Sequence, residues 1–205
     1  MNKIAIFGAG GFAREVLVLL EDMGLADRVS ALFESDGIWK PRDIWGIPTL
    51  PISRFEPTST DLVLGVGDPN ARMAMRSSLP KETRFPTLVH PGARIHRTTL
   101  VGNGVIVCEG CIVTCDIELG DHVNLDRLTT IGHDSRIGDF VTAAPATVVS
   151  GNCQIGSLTY LGTNSCVREK VTIAPGTTVG MGATVVSNIE TPGIYVGTPA
   201  KRRPD

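Results

Sequence analysis

His133 and Asp134 place an imidazole beside a carboxylate in the middle of the stretch "TTIGHDSRIGD", Thr129 to Asp139. An imidazole titrates near neutral pH and suits the removal of a proton from an attacking amine or alcohol. The neighbouring carboxylate can hydrogen-bond the ring and raise its basicity. The same pair also fits a turn histidine capped by its neighbour, so the residues alone leave both readings open.

A second constellation lies at the N-terminus, where "GAGGFA", Gly8 to Ala13, fits the pattern G-x-G-x-x-A. Between a strand and a helix, such a loop cradles phosphate at the helix N-terminus. By itself the loop suggests NAD. A full dinucleotide fold needs more residues than the 85 available here, and no dehydrogenase domain follows. Glu34 and Ser35, at the end of the second candidate strand, are placed to touch a base or ribose, and Gly67 closes a third strand nearby.

Cys108, Cys111 and Cys115 have a loose metal spacing. Structural zinc needs four ligands, and paired C-x2-C modules are absent. These cysteines read as small apolar fillers, with no metal expected.

Residues 1–85 carry the pattern of a Rossmann-like α/β domain. "KIAIFGAG", "RVSALFES" and "DLVLGVG" are buried-strand candidates. "GFAREVLVLLEDMG" puts Phe12, Val16, Leu19, Leu20 and Met23 on one helix face that stops at Gly24, and "PNARMAMRSSL" starts a second helix at Pro69.

From residue 86 to 205 the rule changes. Counting in sixes from Val89 to Val185 gives seventeen consecutive positions, and all but Ala143 are Val, Ile or Leu. Many of the positions that follow are Gly or small, including Gly102, Gly120, Gly132 and Gly138. This periodicity predicts a parallel β-helix of three-sided coils, with the branched residue inward and the small one easing the corner. At about 3.3 Å per residue a side spans roughly 20 Å, and residues one coil apart stack at about 4.8 Å. Gly151 therefore sits directly above His133. A glycine there leaves room for a substrate and exposes a backbone N–H to an oxyanion, or it simply relieves a corner.

Taken together, "IFGAGGFAREV", "LVHPGARI", "IGHDSRIGD", "GTNSCV" and "GIYVGTPAKR" occur in an order that resembles the NeuD/PglD-like sugar O-/N-acetyltransferases. The resemblance implies a left-handed β-helix that assembles as a homotrimer, with active sites at subunit interfaces and acetyl-CoA as co-substrate. It implies His133 as general base supported by Asp134, and Gly151 as oxyanion donor. Thr142, Thr163, Met181 and Gly182 would hold acetyl-CoA, although PglD-type members carry a histidine at the position of Thr142. The glycine loop is reassigned to a nucleotide-linked amino sugar, with Gly10, Gly11 and Phe12 as contacts and a 4-amino-4,6-dideoxyhexose as the expected acceptor. Such products serve surface glycans, lipopolysaccharide among them. O-acetylation of a sialic-acid-type sugar is the alternative, and a non-catalytic nucleotide-binding trimer is a second one.

Composition excludes other classes. A net charge of −2 with scattered basic residues gives no footprint for nucleic acid. Lys201, Arg202 and Arg203 form a short basic tail that reads as a solvated end. No apolar run is long enough to span a bilayer, and the first residues lack a signal peptide's apolar region. The chain reads as cytoplasmic, with free thiols. His90 reads as a turn residue, while His96 and His122 read as surface positions, His122 or Asn124 facing a neighbouring subunit.

Overall fold

The computed structural model describes residues 2–204. The chain separates into two compact units, Met1–Leu88 and Val89–Asp205.

The first unit is a five-stranded sheet in the order β3-β4-β2-β1-β5, built from β1 (Lys3–Phe7), β2 (Val29–Glu34), β3 (Asp43–Ile44), β4 (Ile47–Pro51) and β5 (Thr60–Leu64). β1 pairs in parallel with both β2 and β5, so it lies between them. The three strands legible in the sequence are all present. β4 is an addition: its segment "IPTLP" carries two prolines, which weaken any strand signature, yet it pairs in parallel with β2 and turns back antiparallel into β3.

Helix α1 (Gly11–Asp22) buries Ala13, Val16, Leu17, Leu19 and Leu20. Phe12 and Met23 are only half-buried, so the core face is rotated from the expected one toward Ala13 and Leu17. The helix ends at Gly24, whose φ of +68° is the left-handed turn that glycine adopts without strain. Helix α2 (Pro69–Ser77) starts on Asp68, whose carboxylate accepts the Ala71 N–H at 2.7 Å.

The second unit is a left-handed parallel β-helix. Seventeen two-residue strands run from Leu88–Val89 to Thr184–Val185 and fall on three faces. Partners are one coil apart: Thr130 pairs with Val148, Thr142 with Tyr160, Arg136 with Gln154. The second residue of each strand points inward, and from Val107 to Val185 these form one core. Each buried Val, Ile or Leu contributes about 1.5–3 kcal/mol.

Two local features differ from the sequence reading. Every sixth residue from Gly104 to Gly182 has φ between 56° and 71°, and ten of these fourteen are not glycine. The left-handed corner is therefore imposed by coil closure on residues such as His122, Asp134, Phe140 and Lys170. The glycine after the inward residue has another task, close stacking. A Cβ at Gly132 would meet the Gly151 nitrogen at 2.6 Å.

The basic tail is also not a loose end. Residues Ile194–Val196 pair antiparallel with Lys201–Arg202, and Arg203 N donates to Ile194 O at 2.7 Å. All five cysteines are free thiols. Among the described residues no helix is long and apolar enough to cross a membrane.

Candidate active site

The His133 corner joins the second face, which carries Thr130–Ile131, to the third, which carries Arg136–Ile137. Gly132 lets the coil above approach, and Asp134 takes the left-handed corner at φ +58°. Both side chains point outward, with side-chain exposures of 57% for His133 and 54% for Asp134. His133 Nδ1 stands 2.6 Å from Asp134 Oδ2. A carboxylate only accepts, so Nδ1 carries a proton, and in the neutral ring Nε2 then holds the lone pair that can take another. The shorter Asp reaches the ring after all, because the left-handed corner turns it back toward its neighbour.

Nε2 lies 2.6 Å from where a Cβ on Gly151 would stand, so the ring leans along the stack into space that only glycine leaves open. The Gly151 N–H has no protein acceptor among the described residues. The corner that follows shows one way this group is capped. There the side chain one coil above caps it: Asp121 Oδ1 accepts the Asn103 N–H, Asp139 Oδ1 the Asp121 N–H, and Ser157 Oγ the Asp139 N–H. At the His133 corner that ladder is missing. The arrangement pairs a proton acceptor with an uncapped backbone donor, which is what acyl transfer needs.

Thr163, Met181 and Gly182 meet at a different corner, between the first and second faces. Gly182 N donates to Thr163 O at 2.9 Å, and Met181 is 78% exposed. The C-terminal turn closes over this corner: Thr184 N donates to Gly197 O at 3.0 Å, and Ala200 N to Thr184 O at 2.8 Å. Thr142 does not join them. It is buried on the first face between Asn124 and Tyr160.

In the first unit, Gly10, Gly11, Phe12, Glu34, Ser35 and Gly67 all line one pocket of about 630 Å³. It opens at the C-terminal ends of β1, β2 and β5, where the strands that follow β1 fall on its two sides. Gly8 (φ +131°) makes the approach possible: a Cβ there would lie 2.6 Å from Gly65 O. The free N–H groups at the start of α1 edge this space, and Phe12 forms part of its wall. Glu34 is held by Arg42, whose guanidinium donates to both carboxylate oxygens at 2.6 and 2.9 Å. That fork raises the Arg42 pKa further above its ordinary value.

Sequence reasoning missed Arg42, which holds Glu34, and Ile38, which also lines the pocket. Arg42 comes from the β3–β4 hairpin, which the prolines hid. His122 is corrected: it is buried and stacks on Phe140 at 4.9 Å between ring centroids, and Asn124 is buried beside it in the fold. His90 does serve a turn, its Nδ1 accepting the Gly92 N–H at 2.8 Å. Cys108 and Cys111 are buried, and burial pushes the Cys111 thiol up to about 11.

Comparison with known proteins supports both units. Residues 3–79 match the PglD N-terminal domain. Over 77% of its length the chain is 25% identical to a GDP-perosamine N-acetyltransferase of Escherichia coli O157:H7, covering 76% of that protein. The acetyltransferase domain of PglB from Neisseria gonorrhoeae, solved with acetyl coenzyme A, is 27% identical, with a TM-score of 0.89 over 98% of this chain and 99% of that one. An asparagine-for-histidine variant of the perosamine N-acetyltransferase from Caulobacter crescentus, in complex with CoA and GDP-perosamine, is 25% identical. Its TM-score is 0.90 over 100% of this chain and 98% of that one. With a PglD N-terminal domain at residues 3–79 ahead of a hexapeptide-repeat β-helix, the chain is an acetyltransferase, similar along its length to the PglB and perosamine N-acetyltransferase structures.

Proposed function

We propose that the chain transfers the acetyl group of acetyl-CoA to the amine of a nucleotide-linked amino sugar, a 4-amino-4,6-dideoxyhexose. The observation that carries this reading is the His133 ring, fixed by Asp134 with Nε2 free beside the uncapped Gly151 N–H. Nε2 takes a proton from the amine as its nitrogen attacks the thioester carbon. The Gly151 N–H donates to the carbonyl oxygen as negative charge develops on it. Collapse of the tetrahedral intermediate expels the CoA thiolate, with no covalent acyl-enzyme.

The two units divide the labour. The pocket of the first holds the nucleotide, with pyrophosphate at the N–H groups of Gly10, Gly11 and Phe12. Glu34 and Ser35 meet the ribose or base, and Gly67 lets the ligand approach. In the second unit Thr163, Met181 and Gly182 form the acetyl-CoA groove, which Thr142 does not reach.

A whole side of the prism, roughly 20 Å, separates this corner from His133. One chain therefore does not complete the site. A homotrimer with the second faces turned inward sets the His133 corner of one subunit against the Met181 corner of the next. Outward residues of that face fit such a contact, since Ile112 and Val148 are apolar and exposed. The reaction takes place in the cytoplasm and supplies a precursor for surface polysaccharide or lipopolysaccharide.

Release of CoA thiol, measured with a panel of GDP-, UDP- and dTDP-linked 4-amino sugars and with a sialic acid, tests the reading. Thiol release matched by N-acetylated nucleotide sugar is the expected result. Release with the sialic acid alone would transfer the assignment to O-acetylation. No release and no CoA binding would leave a trimeric scaffold.

A further inference from the structure

Ser135 is fully buried one residue beyond the Asp134 corner, and its hydroxyl spans the two coils that make the catalytic edge. Oγ donates to Ser150 O at 3.2 Å, lies 3.4 Å from His133 O, and accepts the Cys153 N–H at 3.1 Å. Ser150 O and the Gly151 N–H belong to one peptide plane. In a trans peptide the two groups point in opposite directions. Holding the Ser150 carbonyl toward the buried side thus turns the Gly151 N–H to the outside, where no side chain caps it. The Asn152 N–H donates to His133 O at 2.7 Å and fastens the same two coils on the other flank of Gly151.

We propose that Ser135 is a positioning residue for acyl transfer: by fixing the Ser150–Gly151 peptide it aims the Gly151 N–H at the thioester oxygen while tying down the backbone of His133. This inference rests on the acetyltransferase reading and on Gly151 as oxyanion donor. The same type of bond serves plain coil stacking elsewhere. Thr99 Oγ1 donates to Thr114 O at 3.4 Å two coils below in the same column, where no reacting group follows. That pair supplies an internal control.

The test compares Ser135→Ala, Ser135→Cys and Thr99→Ala in the full-length assembly. Ser135→Cys keeps the fold, because Cys153 occupies the same column one coil above and its Sγ donates to Arg168 O at 3.2 Å. Ser135→Ala is expected to lower kcat by about tenfold to a hundredfold, with both KM values within about twofold of wild type. Ser135→Cys falls between the two. Thr99→Ala is expected to keep kcat within about twofold while losing thermal stability comparable to Ser135→Ala.

Unchanged kcat in Ser135→Ala, or an equal loss of kcat in Thr99→Ala, overturns the proposal. If Ser135→Ala does not fold, the Cys variant decides: kcat equal to wild type overturns it. Wild-type turnover with an unaffected Ser135→Ala removes this inference alone. A wild-type chain without turnover removes the acetyltransferase reading together with it.

Discussion

His133 and Gly151 occupy successive coils of one column, with Nε2 of the imidazole 2.6 Å from the position a Cβ on residue 151 would take. The relationship couples two requirements. The ring needs that space to present its lone pair, and the glycine needs to remain free of a side chain for its N–H to stay reachable.

Gly151→Ala follows directly from that distance. The methyl would displace the ring or the upper coil, so kcat is expected to fall by about a hundredfold or more. The position has no left-handed backbone to strain, so the melting temperature should move by only about 3 °C or less. Steady-state kinetics and a thermal melt on the same preparation check both. Retained kcat would show that the ring works without that space.

Arg42→Ala removes the fork that holds Glu34 at the rim of the N-terminal pocket. The carboxylate then loses its fixed orientation, and KM for the nucleotide sugar is expected to rise by about tenfold with kcat and KM for acetyl-CoA little changed. Titration calorimetry with the nucleoside diphosphate alone should show a matching loss of affinity. Arg42 is exposed, so stability should be little affected.

Met181→Glu puts a carboxylate on the corner assigned to acetyl-CoA, whose own phosphates are negative. KM for acetyl-CoA is expected to rise by about tenfold or more, with nucleotide affinity unchanged. A rise confined to the nucleotide sugar would move the CoA groove elsewhere.

Mixed assemblies test whether neighbouring subunits complete the site. His133→Ala and Met181→Glu chains damage opposite corners of the second face. Refolded or co-expressed together, they form some interfaces in which an intact His133 corner meets an intact Met181 corner. Activity above that of either variant alone, toward about a quarter of wild type in a random equimolar mixture, is expected. No recovery would place both halves in one subunit.

Much of the β-helix was legible because its inward residues obey one rule. A strand of two residues buries one side chain, and the next inward position always falls six residues on. The corners were not legible. Coil closure forces the left-handed conformation on His122, Leu128 and Phe140 as readily as on Gly176, so no residue type marks it.

His133 stood out as an imidazole beside a carboxylate within a repeat that needs neither. Gly151 could be placed above it by counting. That its N–H is uncapped could not be read from sequence, because the contrast lies in Asp121, Asp139 and Ser157 on the neighbouring corner. Arg42 was hidden for another reason: it reaches Glu34 through a hairpin whose strand carries Pro48 and Pro51. His122 reads as a surface residue until Phe140, one coil above, is seen stacked on it.

The most direct measurement is kcat for CoA release by His133→Ala beside wild type, with a nucleotide-linked 4-amino sugar as acceptor and nucleotide binding followed in parallel. A loss of about a hundredfold to ten-thousandfold, with nucleotide affinity and melting temperature preserved, is the expected result. Turnover near the wild-type rate in that variant would contradict the assignment of His133 as the base.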